Sequence, residues 1–195
     1  TVLYRELVEH TEEWLADAEG INRSGIVFKL MTGLKQICCH PRLYAKRGEA
    51  SPSVSGKAEM LLELLQTIGE RNEKALIFTQ YAEMGELLYE MIEAGLNSPC
   101  LFLYGGTSRK KRDEMIDTFQ NDPEYKFMVL SIKAGGVGLN LTAANHVVHY
   151  DLWWNPAVEN QATDRAFRIG QRKDVTVYRF VTRGTFEEKI NAMLE

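Results

Sequence analysis

The stretch from Gln161 to Gln171 reads Q-A-T-D-R-A-F-R-I-G-Q and sets Arg165 and Arg168 three positions apart, with Gln161 one turn upstream. Residues at that spacing share a face of a helix, so the two guanidiniums would project together. Each is permanently charged and offers a planar fork of N–H donors that fits phosphate oxygens. Such a pair suits phosphoryl-transfer chemistry, where an arginine that neutralises developing phosphate charge contributes about 10³ to 10⁵ in rate. The competing reading is a solvated basic helix face that makes exposed ion pairs with Asp164 and Asp174, since surface arginines are common. The flanking sequence decides against that second reading.

Three further stretches point toward phosphates. Ser131 to Leu141 is S-I-K-A-G-G-V-G-L-N-L, with Gly135, Gly136 and Gly138 following a strand-like run. Glycines there let the backbone approach a phosphate, and the amides of a following helix start offer donors to an anion. A tight strand-to-helix turn would explain the glycines equally well; Lys133 tips the reading toward a phosphate of nucleotide or nucleic acid. Asp151 to Pro156 is D-L-W-W-N-P, in which one tryptophan is expected in the core and the second, Trp154, against a nucleic-acid strand. Tyr104 to Arg112 is a Gly-Gly turn, then Thr107 and Ser108 capping a helix that opens with Arg109, Lys110, Lys111 and Arg112. Cations at a helix N-terminus oppose the macrodipole, so hydroxyls, helix amides and cations gathered there suggest a surface that contacts phosphates.

The elements that must position these residues are legible from periodicity. Residues 2 to about 20 and 26 to 38 read as helices, separated by Gly20 from each other and by the Gly48–Gly56 region from the rest, so the first 45 or so residues are expected to be helical and separate from the remainder of the chain. From Lys57 the chain alternates. The expected strands are Ala75–Thr79, Cys100–Tyr104, Phe127–Ser131, His146–Tyr150 and Val175–Phe180, and helices are expected from Lys57 to Gly69, Tyr81 to Ala94, Arg109 to Gln120, Pro156 to Phe167 and from Phe186. Apolar strands separated by amphipathic helices make an α/β fold, a parallel sheet with helices on both faces, joined by right-handed crossovers. Ligands of such sheets gather beyond the carboxyl ends of the strands, where the loops that hold Thr79–Gln80, Gly105–Ser108, Ser131–Asn140 and Asp151–Pro156 are expected to emerge.

Composition narrows the class without deciding it. The chain has 195 residues, 45% hydrophobic, with a formal charge of −4, so a nucleic-acid surface must be a local basic patch rather than a global field. Three cysteines, Cys38 and Cys39 adjacent, make no disulfide framework, and no apolar run approaches a membrane span; an intracellular chain with reduced thiols is expected. Cys38, Cys39 and His40 lack the second spaced pair that zinc needs, so no metal site is expected. No G-x-x-x-x-G-K-[ST] occurs, and Asp113–Glu114 lies in a basic helix rather than at the end of an apolar strand, where a magnesium-binding acid belongs. The chain carries arginines for a triphosphate but no cradle for one, and alone is expected to be inactive toward ATP.

Together these residues resemble the second RecA-like lobe of a superfamily II helicase-type motor, in the Snf-type (SWI/SNF) branch of DNA-translocating ATPases. L-M-T-G-L-K-Q-I-C-C-H-P resembles that family's helical lead-in and S-G-K-A-E-M-L-L-E-L-L the helix that opens the lobe. A-L-I-F-T-Q-Y, Y-G-G-T-S, S-I-K-A-G-G-V-G-L-N-L, D-L-W-W-N-P and Q-A-T-D-R-A-F-R-I-G-Q then come in the family's order and spacing. The resemblance implies a helical lead-in over 1–50 and a RecA-like lobe over 51–195. It implies arginine fingers at Arg165 and Arg168, with Gln161, Asp164, Gly136 and Gly138 at the nucleotide. It places Thr107, Arg112, Lys133, Asn140 and Trp154 on or near a DNA track. The implied cofactor is ATP with Mg²⁺, held mainly by a first RecA-like lobe outside this chain. The implied partners are that lobe, double-stranded DNA and a protein obstacle or complex to be remodelled, with no membrane. Phe167 departs from the family, which commonly has histidine there.

Two rivals stand beside this reading. An RNA helicase lobe is disfavoured by Asp164 before Arg165, where RNA helicases usually place glycine, and by the trailing I-G-Q. A non-catalytic DNA-binding or scaffolding module predicts decayed motifs, whereas both arginines and all three loop glycines are intact. Short loops favour a prokaryotic source, hence the cytoplasm and nucleoid; a eukaryotic source would imply the nucleus.

Overall fold

The structure is a computed structural model that describes residues 2–16, 20–131, 139–153, 155–164, 166 and 174–194. Three helices lead in: α1 (Val2–Ala16), α2 (Gly20–Cys39) and α3 (Pro41–Ala45). Then come α4 (Gly56–Glu70), β1 (Ala75–Thr79), α5 (Ala82–Leu96), β2 (Cys100–Leu103), α6 (Arg109–Asn121), β3 (Phe127–Ser131), β4 (His146–His149), α7 (Pro156–Thr163), β5 (Thr176–Arg179) and α8 (Phe186–Leu194). The strands form one sheet in the order β2-β3-β1-β4-β5, and every pairing is parallel. The chain moves from β1 outward to β2, returns as β3, and crosses to β4 on the other flank, so the direction of winding reverses at β1. In a sheet of this kind the crevice at the reversal is where ligands bind.

Alternation along the strands splits the core into two layers. Ala75 and Ile77 of β1 face α4 and α5, with Leu61, Leu65, Met84, Leu88 and Ile92. Leu76 and Phe78 face the other way, with Phe119 of α6 and Ala162 of α7. β1, β3 and β4 are buried along their whole length, whereas Thr176, Val177 and Arg179 of the edge strand β5 are exposed.

The lead-in is helical as expected, but it is not separate. Leu34, Ile37, Cys38, Cys39 and Leu43 are buried, and Cys39 and Leu43 belong to the same apolar cluster as α4, α5 and the sheet. The α2/α3 corner is sealed by His40, whose Nδ1 accepts from the Arg42 amide at 3.2 Å while Nε2 lies 3.0 Å from the Ser51 carbonyl. Cys38, Cys39 and His40 are thus core and capping residues.

Candidate functional site

Parallel pairing brings the carboxyl ends of the strands to one edge. There β1 delivers Thr79 and Gln80, β2 the turn 104–108, β3 Ser131, and β4 Tyr150–Trp153. Asp151 is the anchor of this edge. It is fully buried, its carboxylate accepts from the Thr79 hydroxyl and from the Gln80 amide at 3.1 Å, and burial raises its pKa against the pull of those hydrogen bonds and of Lys57 and Lys35. A cleft of about 400 Å³ opens beside it, lined by residues that include Gln36, Lys46, Gln80, Tyr104, Gly106 and Ser131.

Of the residues expected at the nucleotide or on the DNA track, Thr107, Arg112, Asn140, Gln161 and Asp164 fall among those described. Thr107 is buried, and its hydroxyl oxygen accepts from the Tyr104 amide at 3.1 Å while its own amide donates to the Tyr104 carbonyl at 3.0 Å. It holds the turn rather than presenting a free hydroxyl. A Cβ at Gly106 would stand 2.6 Å from the Tyr104 ring, so a larger residue there would displace that exposed ring. Ser108 caps α6 through the Lys111 amide, and Arg109, Lys110 and Lys111 are exposed. Arg112 is half-buried, and its buried Nε has no hydrogen-bond partner. Asn140 is exposed between the buried Leu139 and Leu141. None of Arg112, Asn140, Gln161 and Asp164 lines the cleft.

Gln161 and Asp164 share the exposed face of α7, while Glu159 and Ala162 are buried. The helix is shorter than its expected run to Phe167. It ends at Thr163, with Asp164 as its cap donating its amide to Asn160 and the Ala166 amide donating to Thr163 at 3.0 Å in a tighter turn. Arg165 and Arg168 lie outside the described residues, as do Gly136, Gly138, Lys133 and Trp154. Among the described residues no group of three His, Cys, Asp or Glu could hold a metal ion, and Asp151 already spends its oxygens within the chain. These residues do not fit a magnesium site.

Sequence reasoning missed the residues that hold this edge together. Glu159 on α7 is buried; it accepts from the Trp153 amide at 2.8 Å and pairs with Arg179 Nε of β5 at 2.9 Å. The only local signal was an acidic residue on the helix face that also carries Ala162. His149, also buried, lies 2.8 Å from the Thr163 hydroxyl through Nε2 and stacks on Phe78 at 5.7 Å. Burial, opposed by Glu159 and aided by Arg179, lowers its pKa to about 4. A histidine kept neutral in the folded chain stabilises it fully above the unfolded value near 6.5. That contribution fades as pH falls toward 4, with up to roughly 3 kcal/mol at stake. Denaturant unfolding of the wild type and His149→Gln between pH 7 and 4 is expected to show the wild type losing stability more steeply on acidification. Parallel pH profiles would mean that His149 protonates freely in the fold.

Comparison with known proteins agrees with this arrangement. The helicase conserved C-terminal domain family matches residues 56–170. YwqA of Bacillus subtilis, to which an ATP-dependent helicase/translocase activity is ascribed, is 50% identical over 195 residues, 99% of this chain and 21% of YwqA. The rice DNA excision repair protein CSB is 40% identical over 167 residues, 80% of this chain and 14% of that protein. This chain therefore spans about a fifth or less of the length of these relatives. Among solved structures, the Sulfolobus solfataricus SWI2/SNF2 ATPase core in complex with dsDNA superposes with a TM-score of 0.90 at 44% identity, covering 99% of this chain and 40% of that one. The C-terminal domain of the same ATPase superposes with a TM-score of 0.84 at 42% identity, covering 99% of this chain and 78% of that one. The five-stranded parallel sheet with its helices is therefore RecA-like, and the chain belongs to the helicase conserved C-terminal domain family, in its SWI2/SNF2 branch.

Proposed function

We propose that this chain is the second motor lobe of an ATP-dependent double-stranded DNA translocase or remodeller. It supplies Arg165 and Arg168 to ATP and Mg²⁺ held on a first RecA-like lobe, with Gln161, Asp164, Gly136 and Gly138 lining the nucleotide side. Arg112, Lys133, Asn140 and Trp154 contact the DNA backbone, beside a turn shaped by Thr107. The observation that carries the reading is the delivery of F-T-Q-Y, Y-G-G-T-S and the opening D-L-W of D-L-W-W-N-P by β1, β2 and β4 to one edge of a parallel sheet, in the order and spacing of a SWI2/SNF2 ATPase. The dsDNA bound to the archaeal relative favours duplex DNA over RNA. A source with a nucleoid would place the protein in the cytoplasm, and a eukaryotic one in the nucleus.

A motor that steps along any sequence must grip phosphates and sugars rather than base edges, so binding is sequence-independent and falls steeply with salt. In the two-lobe protein, Arg112→Ala should flatten the log–log salt dependence of duplex binding by roughly 0.9 and weaken all sequences alike. Trp154→Ala should instead remove stimulation of the ATPase by DNA with little change in that slope, because an indole carries no charge. Binding and turnover on unrelated duplexes across a salt series check both. An unchanged slope removes Arg112 from the track. Marked preference for one duplex sequence, for RNA, or robust ATP turnover by the 195 residues alone overturns the assignment.

A further inference from the structure

A chain of contacts runs from the lead-in to α7. Lys35 of α2 is only 1% exposed, and its Nζ donates to the Leu152 carbonyl at 2.6 Å, across 117 positions of sequence. Burial pulls its pKa down and Asp151 holds it up. The next amide, of Trp153, donates to Glu159 on α7, which is tied in turn to Arg179 of β5. Asn155 caps α7 through the Ala157 amide at 3.0 Å, and His149 holds Thr163 at its other end, two positions before Arg165. Gln80 Nε2 also reaches the Leu152 carbonyl, at 3.3 Å. It is the weaker hold, being longer, neutral and less buried.

We propose that Lys35 is a positioning residue through which α2 sets Asp151–Trp153, and with them α7, so that the helical lead-in governs how Arg165 and Arg168 meet the nucleotide. This rests on the function proposed above for those arginines. An ammonium taken out of water cannot be left without an acceptor, and its bond to a buried carbonyl is charge-assisted. Leu152 and Lys35 therefore move together, which adds a hold from α2 to the one that Asp151 takes on β1. Leucine or methionine at position 35 would fill the same space without specifying where the carbonyl lies.

The test pairs amide hydrogen exchange on this chain with kinetics of the two-lobe protein. Lys35→Met should speed exchange of the amides from Leu152 to Thr163 about tenfold or more, the rest of the sheet staying slow, and Lys35→Arg should restore protection. In the two-lobe protein Lys35→Met should lower kcat about tenfold at unchanged KM for ATP, and should cost nothing further in an Arg168→Ala background. Unchanged exchange overturns the positioning role whatever the arginines do. An equal loss of kcat in the Arg168→Ala background shows that Lys35 acts elsewhere and also overturns the proposal. If Arg168→Ala is itself without effect, the reading of the arginines fails and the catalytic half of this proposal with it, while the exchange result still decides the structural half. Should Lys35→Met not fold, Gln80→Ala decides: protection of the loop should persist within about threefold, and full opening would show that β1 rather than α2 holds it.

Discussion

Arg168→Ala, or Arg165→Ala, in the two-lobe protein is expected to lower kcat by about 10² or more while the affinities for ATP and DNA stay nearly constant. A guanidinium that meets charge only as it develops contributes little to the ground state, so its loss appears in kcat and not in KM. The shape of the site supports this expectation. Gln161 and Asp164 stand on the exposed face of α7, while Glu159 and Ala162 fasten the opposite face to the sheet. The helix is thus anchored from behind, with Gln161 on its free side. Steady-state ATPase assays at saturating duplex, with independent binding measurements, check the split. A kcat within about threefold of wild type corresponds to under about 1 kcal/mol and would reduce both arginines to surface ion-pairing residues.

A comparably large effect, on stability, is expected for Lys57→Met. Lys57 Nζ lies 2.9 and 2.8 Å from the two carboxylate oxygens of Glu187, with side-chain exposures of 6% and 1%. Burial alone would lower the pKa of this amine; the negative charge around it, with Glu187 in contact, raises it instead, so the ammonium stays charged. Glu187 also accepts from the Thr182 amide at 2.8 Å, and the neighbouring Phe186 amide donates to the Tyr4 hydroxyl at 3.1 Å, so α8 is joined at one point to α4 and α1. Removing the lysine strands a carboxylate in the interior, and breaking a buried pair in this way costs about 3–5 kcal/mol. Lys57→Met/Glu187→Gln should recover most of it, because glutamine is uncharged and still accepts from Thr182. Denaturant midpoints of the three chains check this. A single-variant loss under about 1 kcal/mol would mean that water reaches the pair.

Much of this fold is legible in the residues because its determinants are local. Ala75–Thr79 and Phe127–Ser131 are short, unbroken apolar runs, the pattern of a parallel strand covered on both faces, and the structure has those strands at those bounds. Ser108 before Arg109, and Asn155 with Pro156, announce helix starts through side chains that act within two or three residues. Boundaries were less legible. The run from Pro156 toward Phe167 has helical periodicity throughout, yet α7 closes at Thr163, where the chain tightens at Asp164 and His149 takes the Thr163 hydroxyl from another strand.

The succession of strands and helices along the chain, the helical lead-in and the ordered motifs that mark a SWI2/SNF2 lobe are all written locally, because each depends on hydrophobic pattern, turn chemistry or spacing within one stretch of residues. Packing between distant stretches sets the rest: the lead-in shares the core through Cys39 and Leu43, Thr107 is turned inward, Lys35 meets Leu152 and Lys57 meets Glu187. A lysine in an amphipathic helix looks the same whether it faces water or a carbonyl more than a hundred residues away. Which of the two it meets is set by how the helix crosses the sheet, and that depends on the shapes of all the side chains packed between them.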